Sequence, residues 1–183
     1  IKDYRFKFPH DQIQQAALSL IQSENRNSIN YQIGSLLLNN YDELELEQHL
    51  FKIVDHLNIG ITESTKEEER SRLAELNFNA GKKAKTSIAY NAAMAYFSSA
   101  FALLPANSWE TSYSLSLQYC LEKGELEYLN SDWESAAATF ELAKEKAQDL
   151  LDHTTISKYE ASMYRMKNDL TVSLDIAIAA LHK

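Results

Sequence analysis

At 183 residues, with 45% hydrophobic and 24% charged, the chain is long enough for one cored domain or a short stack of helical units. Four glycines and two prolines are too few breakers for the turns of an all-β fold. A formal net charge of -8 argues against a nucleic-acid partner, and no apolar run approaches the ~20 residues of a membrane-spanning helix.

In residues 1–10, Tyr4, Phe6 and Phe8 alternate with charged residues, which predicts a short strand closed by Pro9. Its pairing partners are expected from residues before it. From Asp11 the period becomes helical, with Ile13, Ala16, Ala17, Leu20 and Ile21 on one face. Ile29, Ile33, Leu36 and Leu37 predict a second helix. Asp42 and Glu45 read as a capping pair, and Leu46, Leu50, Ile53, Val54 and Leu57 as the stripe of a third helix. Gly60 reads as its C-terminal stop. Ile61–Ser64 is expected as a loop. Thr65 and Glu68 then read as a second capping pair, opening a helix through Leu73, Leu76 and Ala80.

After residue 80 the spacing repeats. Gly81, Ala93, Phe97 and Ala100 recur as Gly124, Ala136, Phe140 and Ala143, each 43 residues later. A third unit, offset by a further 37, holds Ala161, Ser173, Ala177 and Ala180. The first small residue is expected to let the two helices of a pair approach closely. The second sits where the pair touches. The aromatic is expected to fill the gap to the neighbouring pair, and the last alanine to let that pair stack. This small-and-large pattern, with Pro105 closing the first unit, is that of tetratricopeptide repeats, which are usually about 34 residues long. The longer spacings here imply extended helices or loops. The predicted fold is an all-α stack of antiparallel helix hairpins, an α-solenoid, preceded by the short strand.

Ala80–Ser87, AGKKAKTS, has the look of a phosphate-binding loop, but the glycine required five residues before Gly81 is Leu76. Lys82, Lys83 and Lys85 then read as a solvated basic face. His49 and His56 share a helical face but lie about 10 Å apart along its axis, too far to hold one metal alone. His153 and His182 are isolated, and no metal site is expected. Cys120, the single cysteine, is expected as a buried, inert thiol, compatible with a reducing cytoplasmic compartment. Glu67, Glu68 and Glu69 suit the first turn of a helix. Of the aromatics that could line a groove (Tyr90, Tyr96, Trp109, Tyr113, Tyr128 and Trp133, besides the repeat phenylalanines), most are expected in the core. His10, between the strand and the first helix, is placed to point at an anion near a helix terminus.

The stretch RFKFPHDQIQQAALSLI resembles the end of the winged-helix region in signal-transduction ATPases with numerous domains. In that family a His-Asp pair opens a helix of the form Ile-x-x-Ala-Ala, and the histidine senses the nucleotide's β-phosphate. His10-Asp11 and Ile13–Ala17 match, whereas Pro9 departs from the methionine or other apolar residue usual before the histidine. The segments IGSLLLNN, LFKIVDHLNIG, RSRLAELNFNAGKKAKTSIAYNAAMAYFSSAFALL and SWETSYSLSLQYCLEKGELEYLNSDWESA are similar to the helical region after the ATPase module of bacterial multi-sensor signalling kinases. The resemblance implies a parent protein with a serine/threonine-kinase-like module, a predicted ATPase that binds ATP or ADP, this helical arm, sensor domains and a histidine kinase.

Together these readings divide the chain into residues 1–25, the end of a winged-helix region; 26–79, linking helices; and 80–183, the repeats. Ile1 in place of methionine, and an apolar pattern running to Lys183 without a stop signal, lead to the expectation of a segment of a longer protein. The segment is expected to be non-catalytic, to carry no cofactor itself, and to contact a protein or another domain of the same chain so as to gate signalling. The alternative is an autonomous scaffold that binds a peptide or small effector independently of nucleotide.

Overall fold

The computed structural model describes residues 23–62 and 65–181. Every regular element among them is an α-helix, as the scarcity of breakers requires. The helices are α1 (Ser23–Asn40), α2 (Glu43–Gly60), α3 (Glu67–Thr86), α4 (Tyr90–Leu103), the single turn α5 (Ser108–Thr111), α6 (Tyr113–Leu129), α7 (Trp133–Lys146), α8 (Leu150–Met166) and α9 (Leu170–Leu181). They group into two compact units, residues 1–66 and 67–183. The strand expected at residues 4–8, the helix expected from Asp11 to Ile21, and His10 with Asp11 lie outside the described residues.

In the first unit α1 and α2 form a hairpin. The expected capping pair is present: Asp42 Oδ1 accepts from the Glu45 amide at 2.9 Å, and Glu45 Oε2 accepts from the Asp42 amide at 3.3 Å. These satisfy two donors that a helix start otherwise leaves without partners. Ile53, Val54 and Leu57 are buried, and Leu46 and Leu50 half-buried, so the predicted stripe faces α1. Gly60 is not a left-handed stop, as the sequence suggested. Ile61 caps the helix in extended conformation, and a Cβ on Gly60 would lie 2.4 Å from the Tyr31 backbone nitrogen. Close approach of α1 requires glycine there.

In the second unit α3 opens at Glu67, with Glu67, Glu68 and Glu69 in its first turn. Thr65 does not make the expected capping pair; its hydroxyl accepts from the Thr62 amide at 3.1 Å. Three hairpins follow, α3–α4, α6–α7 and α8–α9. The second helix of each packs on the first helix of the next: α4 on α6, and α7 on α8.

The three hairpins share one turn. Ile88, Ser131 and Asn168 take left-handed φ values of 61°, 64° and 65°. The amide of the following residue then donates back to the first helix, Ala89 to Ala84 O at 3.0 Å, Asp132 to Glu127 O at 2.9 Å, and Asp169 to Tyr164 O at 2.9 Å. This is the Schellman way of satisfying terminal carbonyls. Each left-handed residue stands seven positions after Gly81, Gly124 or Ala161. The turn therefore gives the third hairpin the same register as the first two, independently of its side chains. Asp132 and Asp169 go on to cap the second helices, accepting from Ser135 N at 3.2 Å and Val172 N at 3.3 Å.

Candidate functional site

The eight repeat positions of the first two hairpins, Gly81, Ala93, Phe97, Ala100, Gly124, Ala136, Phe140 and Ala143, are all buried. Each phenylalanine packs against the glycine of its own hairpin. A Cβ on Gly81 would lie 2.6 Å from Phe97 Cδ1, and one on Gly124 would lie 2.5 Å from Phe140 Cε1. Besides the expected place of the aromatic in the gap to the neighbouring pair, the missing Cβ makes room for its ring against the first helix of its own hairpin. Phe140 does also face the next hairpin, with its ring centroid 6.4 Å from that of Tyr159.

The third hairpin lacks this plug. Ala161 takes the glycine position and is half-buried; Ala177 takes the phenylalanine position and is exposed; Ala180 is half-buried. The two small side chains leave an open groove of about 450 Å³ between α8 and α9, bordered by Ala161, Ser173, Ala177 and Leu181, with Lys158 and Arg165 on its rim. Ser173 Oγ donates to Ala161 O at 2.8 Å and ties the helices together at the groove floor. No side chain of α9 is buried, and Leu170, Leu174, Ile178 and Leu181 form an exposed apolar stripe at helical spacing.

Ion pairs join successive hairpins. Lys85 of α3 bonds both Glu122 and Glu125 of α6, the latter at 2.9 Å. Lys85 is therefore not part of a solvated basic face, as its surroundings in sequence implied. Burial alone would lower its pKa; hydrogen bonds to the two carboxylates outweigh that and raise it. Lys144 of α7 bonds Glu160 of α8 at 2.8 Å, with the same balance of burial against hydrogen bonds. Within α6–α7, the Thr139 hydroxyl donates to Glu127 Oε2 at 2.7 Å, and Lys123 bonds both. No single spacing flags these links: Lys85 stands four residues after Gly81, but Tyr128 holds that place after Gly124, and the second link comes from Lys144 on the other helix of its hairpin.

Chemistry-bearing side chains are dispersed. His49 is exposed, its ring tilted against that of Tyr41 at a centroid separation of 5.2 Å, whereas His56 is half-buried and its Nδ1 lies 2.8 Å from Asn30 Oδ1. Burial, followed by the Lys52 charge, lowers the His56 pKa against the opposing pull of Asp55. Cys120 is buried, and burial pushes its thiol up to about 11, away from nucleophilic reactivity. The Tyr113 hydroxyl donates to Asp152 Oδ2 and accepts from the Gln148 amide at 3.1 Å, tying α6 to the start of α8. Burial and that carboxylate push Tyr113 up to about 12. Of the other aromatics, Tyr128 is buried and Tyr90, Tyr96, Trp109, Tyr113 and Trp133 are half-buried. Among the described residues no three His, Cys, Asp or Glu side chains are grouped to hold a metal ion, and no helix is long and apolar enough to cross a membrane.

The chain is similar to a segment of hybrid signal transduction histidine kinase G from Dictyostelium discoideum, with 29% identity over 168 residues. The match covers 79% of this chain and 5% of the relative, so the chain spans a small fraction of that protein's length. The relative comes from Dictyostelium rather than from a bacterium, the source that the resemblance in sequence implied. No protein-family model matches the chain, and no solved structure matches it.

Proposed function

We propose that the chain is a non-catalytic regulatory arm of a longer signal-transduction kinase. The observation that carries this reading is the similarity to a segment of a hybrid histidine kinase. The arm is a tetratricopeptide-like stack, supported by three hairpins that share one turn and one spacing between the first small residue and the plug position. In this reading ATP or ADP is bound by a neighbouring ATPase module, with His10 and Asp11 at its edge. Kinase chemistry likewise resides in other modules, and the protein works in the cytoplasm. Gating requires that the arm make different contacts in two states of the nucleotide module. Nucleotide exchange by the full-length kinase, measured with and without residues 80–183, tests this. Deletion is expected to change the exchange rate, and identical rates would overturn the gating role.

The open α8–α9 groove favours a second reading, an autonomous scaffold that binds a peptide without coupling to ATP. Affinity of the isolated chain for a partner separates the two. A partner held equally well with and without nucleotide in the full-length protein favours the scaffold.

A further inference from the structure

Within residues 67–183, each of the first two hairpins is covered by the next long helix of the same chain. α6 covers α4 and starts ten residues after it; α8 covers α7 and starts four residues after it. The fourth residue after each plug makes the contact. Phe101 stacks on Tyr119 of α6 at a centroid separation of 4.3 Å, and Lys144 pairs with Glu160 of α8 at 2.8 Å. The residue before it, Ala100 or Ala143, is 2% or 0% exposed.

On α9 the same positions stand uncovered. Ala180, in the place of Ala100 and Ala143, is half-buried, and Leu181, in the place of Phe101 and Lys144, is 84% exposed. Leu170, Leu174 and Ile178 extend the exposed stripe. Nine of the twelve residues of α9 are apolar and one, Asp175, is charged, a composition that suits a helix packed on both sides. A helix that closes a solenoid needs a polar outer face. α9 presents leucines and isoleucine instead.

We propose that the α8–α9 face is an internal interface of the longer protein, covered by the helix that follows α9 in the same polypeptide, the first of a fourth hairpin. That helix is amphipathic. It sets an apolar side chain on Leu181, as Tyr119 sits on Phe101, and closes the groove between Ala161 and Ala177 from outside. A short connection holds the two helices at millimolar effective concentration, so the interface forms without the affinity that a free partner would need. The segment similar to this chain is 5% of its relative, which leaves room for further units. The inference rests on the reading of the chain as an arm of a longer protein and deepens it. A covered face would also remove the groove on which the scaffold reading draws.

Hydrogen exchange of α9 is to be compared in three forms: this chain alone, the chain lengthened by the next 43 residues of its natural sequence, one repeat spacing, and the full-length protein. In the two longer forms the α9 amides are expected to exchange at least about tenfold more slowly than in the chain alone. Leu181→Asp should change exchange in the chain alone by less than about twofold, because the side chain is exposed there, and should abolish the added protection in the longer forms. Equal exchange in all three forms overturns the proposal. Protection that appears only in the full-length protein assigns the face to a distant domain and overturns it as well. So does protection in the chain alone that grows with concentration, which assigns the face to a second copy. The kinase reading is tested separately by the modules of the full-length protein. Slow α9 exchange in a protein without kinase modules keeps this inference and ends that reading, and fast exchange in a kinase does the reverse.

Discussion

Ile88, Ser131 and Asn168 occupy one backbone position in three hairpins, at unequal cost. A left-handed φ disfavours any residue with a Cβ by about 1–2 kcal/mol, is hardest on β-branched side chains, and is best tolerated among non-glycines by asparagine and aspartate. Ile88 is 74% exposed, so it recovers little from packing. Ile88→Asn is therefore expected to raise stability by about 1 kcal/mol, read as a higher urea midpoint at unchanged slope. An unchanged or lower midpoint would mean that the turn is not left-handed in solution. At the plugs the expected effects have the opposite sign. A methyl group on Gly124 would meet the fully buried Phe140 ring, so Gly124→Ala should cost about 1–3 kcal/mol by overpacking. Phe97→Ala or Phe140→Ala should each cost about 3–5 kcal/mol. A loss below about 1 kcal/mol in the phenylalanine variants would show that these rings do not close their hairpins.

At the scale of the element, the α1–α2 hairpin carries a pH dependence. His56 on α2 sits against Asn30 on α1, and burial holds its pKa below 6.5. The unfolded chain therefore binds the proton more readily than the folded hairpin. The His56 contribution is intact above about pH 6.5 and is lost as the pH falls through that value. Amide exchange in α1 and α2, corrected for intrinsic rates, should show protection falling between pH 7 and pH 5. His56→Gln should flatten that fall. Protection that rises on acidification would contradict the sign. The links between hairpins draw on a different device. Lys85 and Lys144 reach across to carboxylates of the following hairpin from partly buried positions, where pairing offsets the cost of desolvation. The polar lattice thereby fixes which helix follows which, in addition to the apolar plugs.

Across the whole molecule, the legible features were those carried by local chemistry. The helical class followed from the scarcity of breakers, the α2 cap from Asp42 and Glu45, and the hairpin register from small residues twelve apart. Less legible were features that depend on a partner far along the chain. Gly60 reads as a stop signal from its neighbours, and only the Tyr31 backbone of α1 explains it. Lys85 reads as one of three surface lysines, and only Glu122 and Glu125, 37 and 40 residues on, remove it from that set. Ala177 fits the small-residue pattern so well that its meaning is hidden. What matters is the phenylalanine it replaces, and the groove becomes visible when the shared turn aligns the third hairpin with the other two.

That alignment also defines the most direct test: hydrogen exchange across residues 67–183 of the dilute chain, resolved by helix. With two hairpins closed by a ring and the third left open, α6 and α7 should be the best protected, and α9 should exchange at least about tenfold faster than α7. Protection of α9 equal to that of α7 would contradict an open third hairpin.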